Sequence, residues 1–124
     1  MTSDLPYLQH VLDAVGAIGE FTREGREEFL ASRLVRDATL RNLQTLAEAT
    51  KRLSPARKDA YPEVPWRRVA DFRNVLVHEY ERVDPAEVWR IVEHELPVLE
   101  RAVRGMLAEG PLEPAPKEST RGDA

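Results

Sequence analysis

The chain contains no cysteine. Disulfides and thiolate chemistry are excluded with it, and so is a zinc site built on cysteines. Histidine is scarce. His10, His78 and His94 form no i,i+4 pair and no HExxH motif, so a histidine metal site is not expected. Long apolar runs are missing too, and with them any candidate membrane span. The opening stretch MTSDLPYLQH lacks the basic start and apolar centre of a signal peptide, so the expectation is a cytoplasmic protein without membrane association. Excess positive charge is also absent: 18 Lys and Arg face 22 Asp and Glu, for a formal net charge of -4. Sequence-independent binding to long DNA relies on many cationic phosphate contacts and is disfavoured by that balance. An enzyme that grips a few phosphates at a locally positive site is not.

What is present fits one globular domain. A chain of 124 residues can bury a real core but has no room for a second one. No region shows convincing period-two alternation, whereas apolar residues recur at helical spacing throughout. The expected fold is all-α: an up-and-down bundle of four to five helices over residues 1–109, with a disordered tail rich in Pro and charge at residues 110–124. The first helix is expected from about Ser3 to Gly19, capped by Ser3 or Asp4, with Leu5, Leu8, Leu12 and Val15 facing inward. A short turn follows at Arg26 to Ala31. A long helix then runs from about Ser32 to Leu53, its apolar face made by Leu34, Val35, Ala38, Leu43, Leu46, Ala49 and Leu53. Ser54-Pro55 should stop it, and the stretch to Pro65 reads as a connector with a turn of helix around Ala56 to Asp59. Pro65 suits the first turn of a third main helix ending near His78 to Glu81. Asp84-Pro85-Ala86-Glu87 signals the last helix, with Asp84 as cap, Pro85 at the first position and Glu87 able to close a capping box. Pro97 should kink that helix.

Two polar patterns carry chemistry. On the long helix Asp37, Arg41, Gln44 and Glu48 form a line at spacings of four, three and four. It reads either as a solvated face with i,i+4 ion pairing or as a polar seam facing a cleft or a subunit. The second pattern is Arg73-Asn74-Val75-Leu76-Val77-His78-Glu79-Tyr80. Arg73 can fork a phosphate and stabilise charge on a transferring phosphoryl group. His78 can move a proton near neutral pH. Residues five apart on an ideal helix differ by roughly 140°, so Arg73 and His78 would flank one groove or approach if the helix loosens after Val77. Arg73, Val77 and Tyr80 would share a face. Because RNA carries its own nucleophile in the 2′-hydroxyl, a base, an acid and an Arg clamp suffice to cleave it without a metal. Taken alone, a His and an Arg on one helix are weak evidence of chemistry and favour a structural role.

The spacing Arg73, four residues, His78, one residue, Tyr80 matches the RX4HXY motif of the HEPN superfamily. The phrases RNVLVHEYERVD, FLASRLVRDATLRNLQTLAEATKRLSP and YPEVPWRRVADFRN resemble the HepT family in particular, and the resemblance runs from about Leu5 to Leu107. It implies a helical homodimer acting as the ribonuclease toxin of a toxin–antitoxin pair, with RNA as substrate and no cofactor. It further implies that Arg73 and His78 are catalytic. Tyr80 would accept AMP from a neutralising nucleotidyltransferase of the MntA type. Asp37, Arg41, Glu48 and Asn74 are candidates to support the cleft. The sequence departs from relatives at Ala47-Glu48-Ala49, where Gly commonly precedes the Glu, and at Glu81-Arg82, where Phe-Gly is frequent. The competing reading is a non-catalytic binding subunit of a nucleotidyltransferase complex, with His78 structural and Tyr80 only an acceptor.

Overall fold

The computed structural model describes residues 4–110. Ser3, one of the two expected caps, and all but the first residue of the expected disordered tail lie outside that range. Among the described residues every regular element is helical. In chain order they are α1 (Leu5–Phe21), α2 (Arg26–Ala31), α3 (Arg33–Lys51), α4 (Pro55–Asp59), α5 (Trp66–His78), α6 (Pro85–Arg90) and α7 (Leu96–Glu109). A 3₁₀ turn at Tyr80–Arg82 follows α5, and a π turn at Ile91–Glu95 joins α6 to α7. The long rods are therefore four: α1, α3, α5 and the joined α6–α7.

Long-range bonds fix their directions. Asp4, ahead of α1, holds Ser54 and Arg57 beyond the end of α3, so those helices run antiparallel. Glu48 reaches Arg73 while Asp37 reaches Tyr80, so α3 and α5 are antiparallel as well. Arg57 also donates to the Met106 and Gly110 carbonyls, which places the end of α7 beside the start of α1. At the other end of the bundle Phe29 of α2 meets Trp89 of α6, their ring centroids 5.4 Å apart. This is the expected up-and-down order, with α3 between α1 and α5.

The core is continuous, from Leu8, Val11, Ala14 and Ile18 of α1 through Leu40, Leu43, Leu46 and Ala49 of α3 to Leu96, Leu99, Val103 and Met106 of α7. Its phase differs from the sequence reading at both early helices. In α1 the buried line is Leu8-Val11-Ala14-Ile18, with Leu12 and Val15 only at its edge and Leu5 about half exposed. In α3 the first apolar residue, Leu34, is 80% exposed, and Thr39 and Leu40 are buried instead. The Thr39 hydroxyl is enclosed there without a hydrogen-bond partner. Only Leu76 of α5 is fully buried. The helix stands over an apolar cavity of about 270 Å³ lined by Leu43, Leu46, Phe72, Val75, Ile91 and Leu99, among others. None of the candidate site residues lines it.

The helix ends follow the expected chemistry with three exceptions. Ser32 caps α3 by accepting from the Val35 amide at 3.1 Å, Ser54 caps α4, and Asp84 caps α6 by accepting from the Ala86 amide at 3.1 Å. Asp4 does not cap α1 with its side chain, because its carboxylate is drawn 3.0 Å from the Arg57 guanidinium, a charge-assisted bond stronger than one to a neutral amide. Glu87 is taken up in the same way, by Arg90 at 2.7 Å rather than by a reciprocal capping box. Pro97 breaks the last helix as expected, but the break is spread over the preceding π turn. There the Leu96 amide donates to the Ile91 carbonyl, five residues back.

Candidate active site

The helix α5 stops at His78. Glu79 leaves the helical region with φ −141° and ψ 46°, its amide closing the last turn onto the Val75 carbonyl at 2.8 Å. Nothing local demands a stop, since Glu79, Glu81 and Arg82 are tolerable helix residues. Tertiary contact supplies a reason: the Tyr80 hydroxyl donates to Asp37 Oδ1 of α3 at 2.8 Å. Tyr80 therefore sits in the 3₁₀ turn beyond the helix, and the expected shared face of Arg73, Val77 and Tyr80 ends at Val77.

Arg73 is held on all three guanidinium nitrogens. Nε and Nη2 approach Glu48 Oε2 at 3.3 and 3.2 Å, and Nη1 donates to Asn74 Oδ1 at 3.1 Å. Its side chain is one-quarter exposed and that of Glu48 about half exposed. A pair this open contributes little to stability, about 0–1 kcal/mol. Its effect is to aim the guanidinium, and both acceptors are side chains at an exposed edge.

The second group lies at the far end of the same edge. Asp37 accepts from Tyr80 on one carboxylate oxygen and lies 3.5 Å from Arg33 Nε on the other. Arg33 and Arg36 border the adjoining hollow, floored by Phe29, Leu40 and Val88, with a volume of about 420 Å³. Burial, and then the Asp37 hydrogen bond and charge, raise the Tyr80 hydroxyl above the usual tyrosine range, against the opposing pull of Arg33 and Arg36. The phenol is thus protonated at neutral pH, with its proton directed at a carboxylate.

His78 is exposed, and its imidazole makes no hydrogen bond or ion pair among the described residues. It is free to meet a substrate. The structure thus links Arg73, Asn74 and Glu48 in one cluster and Tyr80, Asp37 and Arg33 in another. His78 is bonded to neither. Arg41 stands on α3 between Asp37 and Glu48, exposed and without a side-chain partner. The line from Asp37 to Glu48 is consequently not a simple solvated face, because its two carboxylates reach across to α5 and the turn after it. Arg33 was not singled out in the sequence, although its place four residues before Asp37 is the available signal. Tyr7, His10 and Arg52, which with Arg41 and Glu48 line a groove between α1 and α3, gave no local signal. Among the described residues no three His, Asp or Glu side chains gather as a metal site, and no helix is long and apolar enough to cross a membrane.

Comparison with known proteins places the chain in a family. A family described as ribonuclease HepT-like matches residues 11–106, a span that contains Asp37, Glu48, Arg73, His78 and Tyr80. A probable ribonuclease HepT of Thermococcus cleftensis is 37% identical over 94 residues, which is 75% of this chain and 86% of that protein. A protein of Caldanaerobacter subterraneus subsp. tengcongensis that carries an RNase designation is 31% identical over 108 residues, or 86% of this chain and 96% of that one. A third relative, from Methanocaldococcus jannaschii, is designated both a gamma-glutamylcyclotransferase and an RNase. It is 30% identical over 104 residues, and the match spans 83% of this chain but only 47% of that protein, about half its length. No solved structure matches. With the family match covering most of the bundle, and every site position inside it, the chain belongs to the HepT-like ribonuclease family.

Proposed function

We propose that the protein is a metal-independent endoribonuclease and the toxin of a toxin–antitoxin pair in the cytoplasm. The observation that carries this reading is the end of α5. An oriented guanidinium and an unpartnered imidazole stand there on one helix, inside the span shared with HepT-like ribonucleases. In the mechanism, a scissile phosphate displaces Glu48 and Asn74 and takes the Arg73 fork, which neutralises charge building on the non-bridging oxygens. The 2′-hydroxyl attacks phosphorus while His78 takes its proton, and the 5′-oxygen leaves with a proton returned to it. The products are a 2′,3′-cyclic phosphate and a 5′-hydroxyl. With one such histidine per chain, a homodimer would supply both base and acid. Leu34 and Val77 are both exposed toward the Asp37–Tyr80 end of this edge and offer apolar area for such a contact.

Control falls to Tyr80. Transfer of AMP from ATP by an MntA-type nucleotidyltransferase antitoxin would place a phosphate and a nucleoside at the edge that RNA must reach, opposing substrate both by charge and by bulk. The hollow beside Tyr80 has room for such a group, with Arg33 and Arg36 at its border beside Asp37 and Glu81. The test is RNA cleavage by purified, unmodified protein with and without a chelator. His78→Ala should lower the rate by about 10²–10⁴-fold with the helical circular dichroism spectrum intact. A folded, unmodified protein that leaves RNA whole would turn the reading toward a non-catalytic subunit of a nucleotidyltransferase complex.

A further inference from the structure

We infer that the groove between α1 and α3 is a binding subsite for single-stranded RNA, leading the strand to Arg73. The inference rests on the ribonuclease reading for the identity of the ligand. The groove itself rests on geometry. It is a polar hollow of about 410 Å³ lined by Tyr7, His10, Arg41, Gln44, Glu48 and Arg52. Arg41, Glu48 and Arg52 follow one another at spacings of seven and four, so they share a face of α3, and the two arginines stand about 16 Å apart along the axis. That distance suits two phosphates a few nucleotides apart on one short strand rather than a single anion. Neither guanidinium is engaged in an ion pair among the described residues, whereas the carboxylate between them, Glu48, is engaged by Arg73. The groove therefore carries net positive charge in an acidic protein.

The opposite wall supplies a surface for bases. Tyr7 and His10, one helical turn apart on α1, stand edge to face with centroids 6.2 Å apart at 84°. One ring is thereby braced by the other. A polar trough with a cation at each end and aromatic rings along one side is how sequence-tolerant single-strand binders are built: phosphates are held by charge and bases by stacking. A protein segment would find little apolar floor here, since Ala49 is the buried contributor. Glu48 joins the groove to the reaction centre, because it lines the one and orients Arg73 in the other. A strand seated in the groove reaches Arg73 at the point where a phosphate would displace Glu48.

Binding of a fluorescein-labelled 2′-O-methyl oligoribonucleotide, which lacks the attacking hydroxyl, tests the subsite without cleavage. The double variant Arg41→Ala/Arg52→Ala should bind at least about tenfold more weakly. Its slope of log affinity against log salt should fall by about 1.4, the value for two lost phosphate contacts on a single strand. Tyr7→Ala should weaken binding about fivefold or more with the slope unchanged, and Tyr7→Phe should restore it. Tyr7 packs partly on the core, so the exposed arginines carry the decision if Tyr7→Ala does not fold. Arg101→Ala removes one positive charge from exposed α7, away from the groove, and should leave binding as it is. Unchanged affinity and slope in the double variant would overturn the inference. So would an equal loss in Arg101→Ala, or a change in oligomeric state in the double variant, which would assign the groove to a subunit contact. Cleavage of ordinary RNA is read separately. Groove-dependent binding without cleavage rejects the ribonuclease reading and keeps the subsite, and cleavage with groove-independent binding does the reverse.

Discussion

Arg57 and Arg73 are each paired with one carboxylate, and the two pairs have opposite characters. Arg57 is 3% exposed, its Nε lies 3.0 Å from Asp4, and its other nitrogens donate to the main-chain carbonyls of Met106 and Gly110. It joins the start of α1, the end of α3 and the end of α7, and two of its three acceptors are main-chain carbonyls that cannot swing away without moving the backbone. Arg73 is bound as fully, but by two side chains at an open edge. What separates a structural arginine from a chemical one here is not the number of its bonds. It is whether the acceptors are fixed backbone or replaceable side chains, and whether water reaches the site.

The sharpest way to break this contrast is to remove each guanidinium in turn. Arg57→Ala leaves the Asp4 carboxylate buried without its cation and should cost about 3–5 kcal/mol of stability, read by urea denaturation, while the fraction that remains folded cleaves RNA normally. Arg73→Ala should do the reverse. Cleavage should fall by about 10²–10³-fold, with a stability change under about 1 kcal/mol. Equal destabilisation by the two substitutions would abolish the distinction.

Smaller effects sharpen it. Thr39 presents the other kind of buried polar group, one with no partner at all. Thr39→Val removes an unsatisfied hydroxyl without opening a cavity and should raise the unfolding midpoint by an amount equivalent to about 1 kcal/mol. A fall would mean that the hydroxyl is bonded in solution. The smallest effect concerns Tyr80. Its raised pKa means that the folded state keeps the phenolic proton longer than the unfolded state. The associated stability is complete below the unfolded value near 10.0 and is lost as pH climbs through the folded one. Asp37→Asn removes the accepting charge and should bring phenolate absorbance in at lower pH, with a shallower loss of alkaline stability. An unshifted titration would mean that Asp37 does not hold the proton in solution.

Much of this was legible in the sequence wherever the cause is local. Ser54-Pro55 and Asp84-Pro85 mark their boundaries by capping chemistry and by proline's fixed φ, and the bundle follows from helical spacing alone. The candidates Arg73, His78 and Tyr80 were singled out because their spacing matches the RX4HXY motif. The misses share a different physics. Asp4 was read as a cap because its nearest amides are local, yet its partner lies 53 residues away. Arg57 fell in what read as a connector, and no property of PARKD announces a buried cation. Leu34 was assigned to the core by periodicity that the first turn of α3 does not honour. The end of α5 at His78 fell where it was expected, but the bond from Tyr80 to α3 is one that no spacing rule encodes. Short-range signals set where helices begin, and long-range acceptors decide which polar side chains stay there.

The π turn at Ile91–Glu95 changes what the last helix can tolerate. Val88 and Leu96 are both buried, eight residues apart. In an unbroken α-helix eight residues overshoot two full turns by about 80°, whereas seven come within about 20° of them. The wider turn advances less per residue and takes up that excess, so the segment behaves as an α-helix carrying one residue more than its faces require. A deletion of one residue between Ile91 and Glu95 would therefore return the backbone to ordinary α spacing with Val88 and Leu96 still in phase. The same deletion in α1 or α3 would turn half the helix about 100° out of the core. Of the four rods, the last has length to spare.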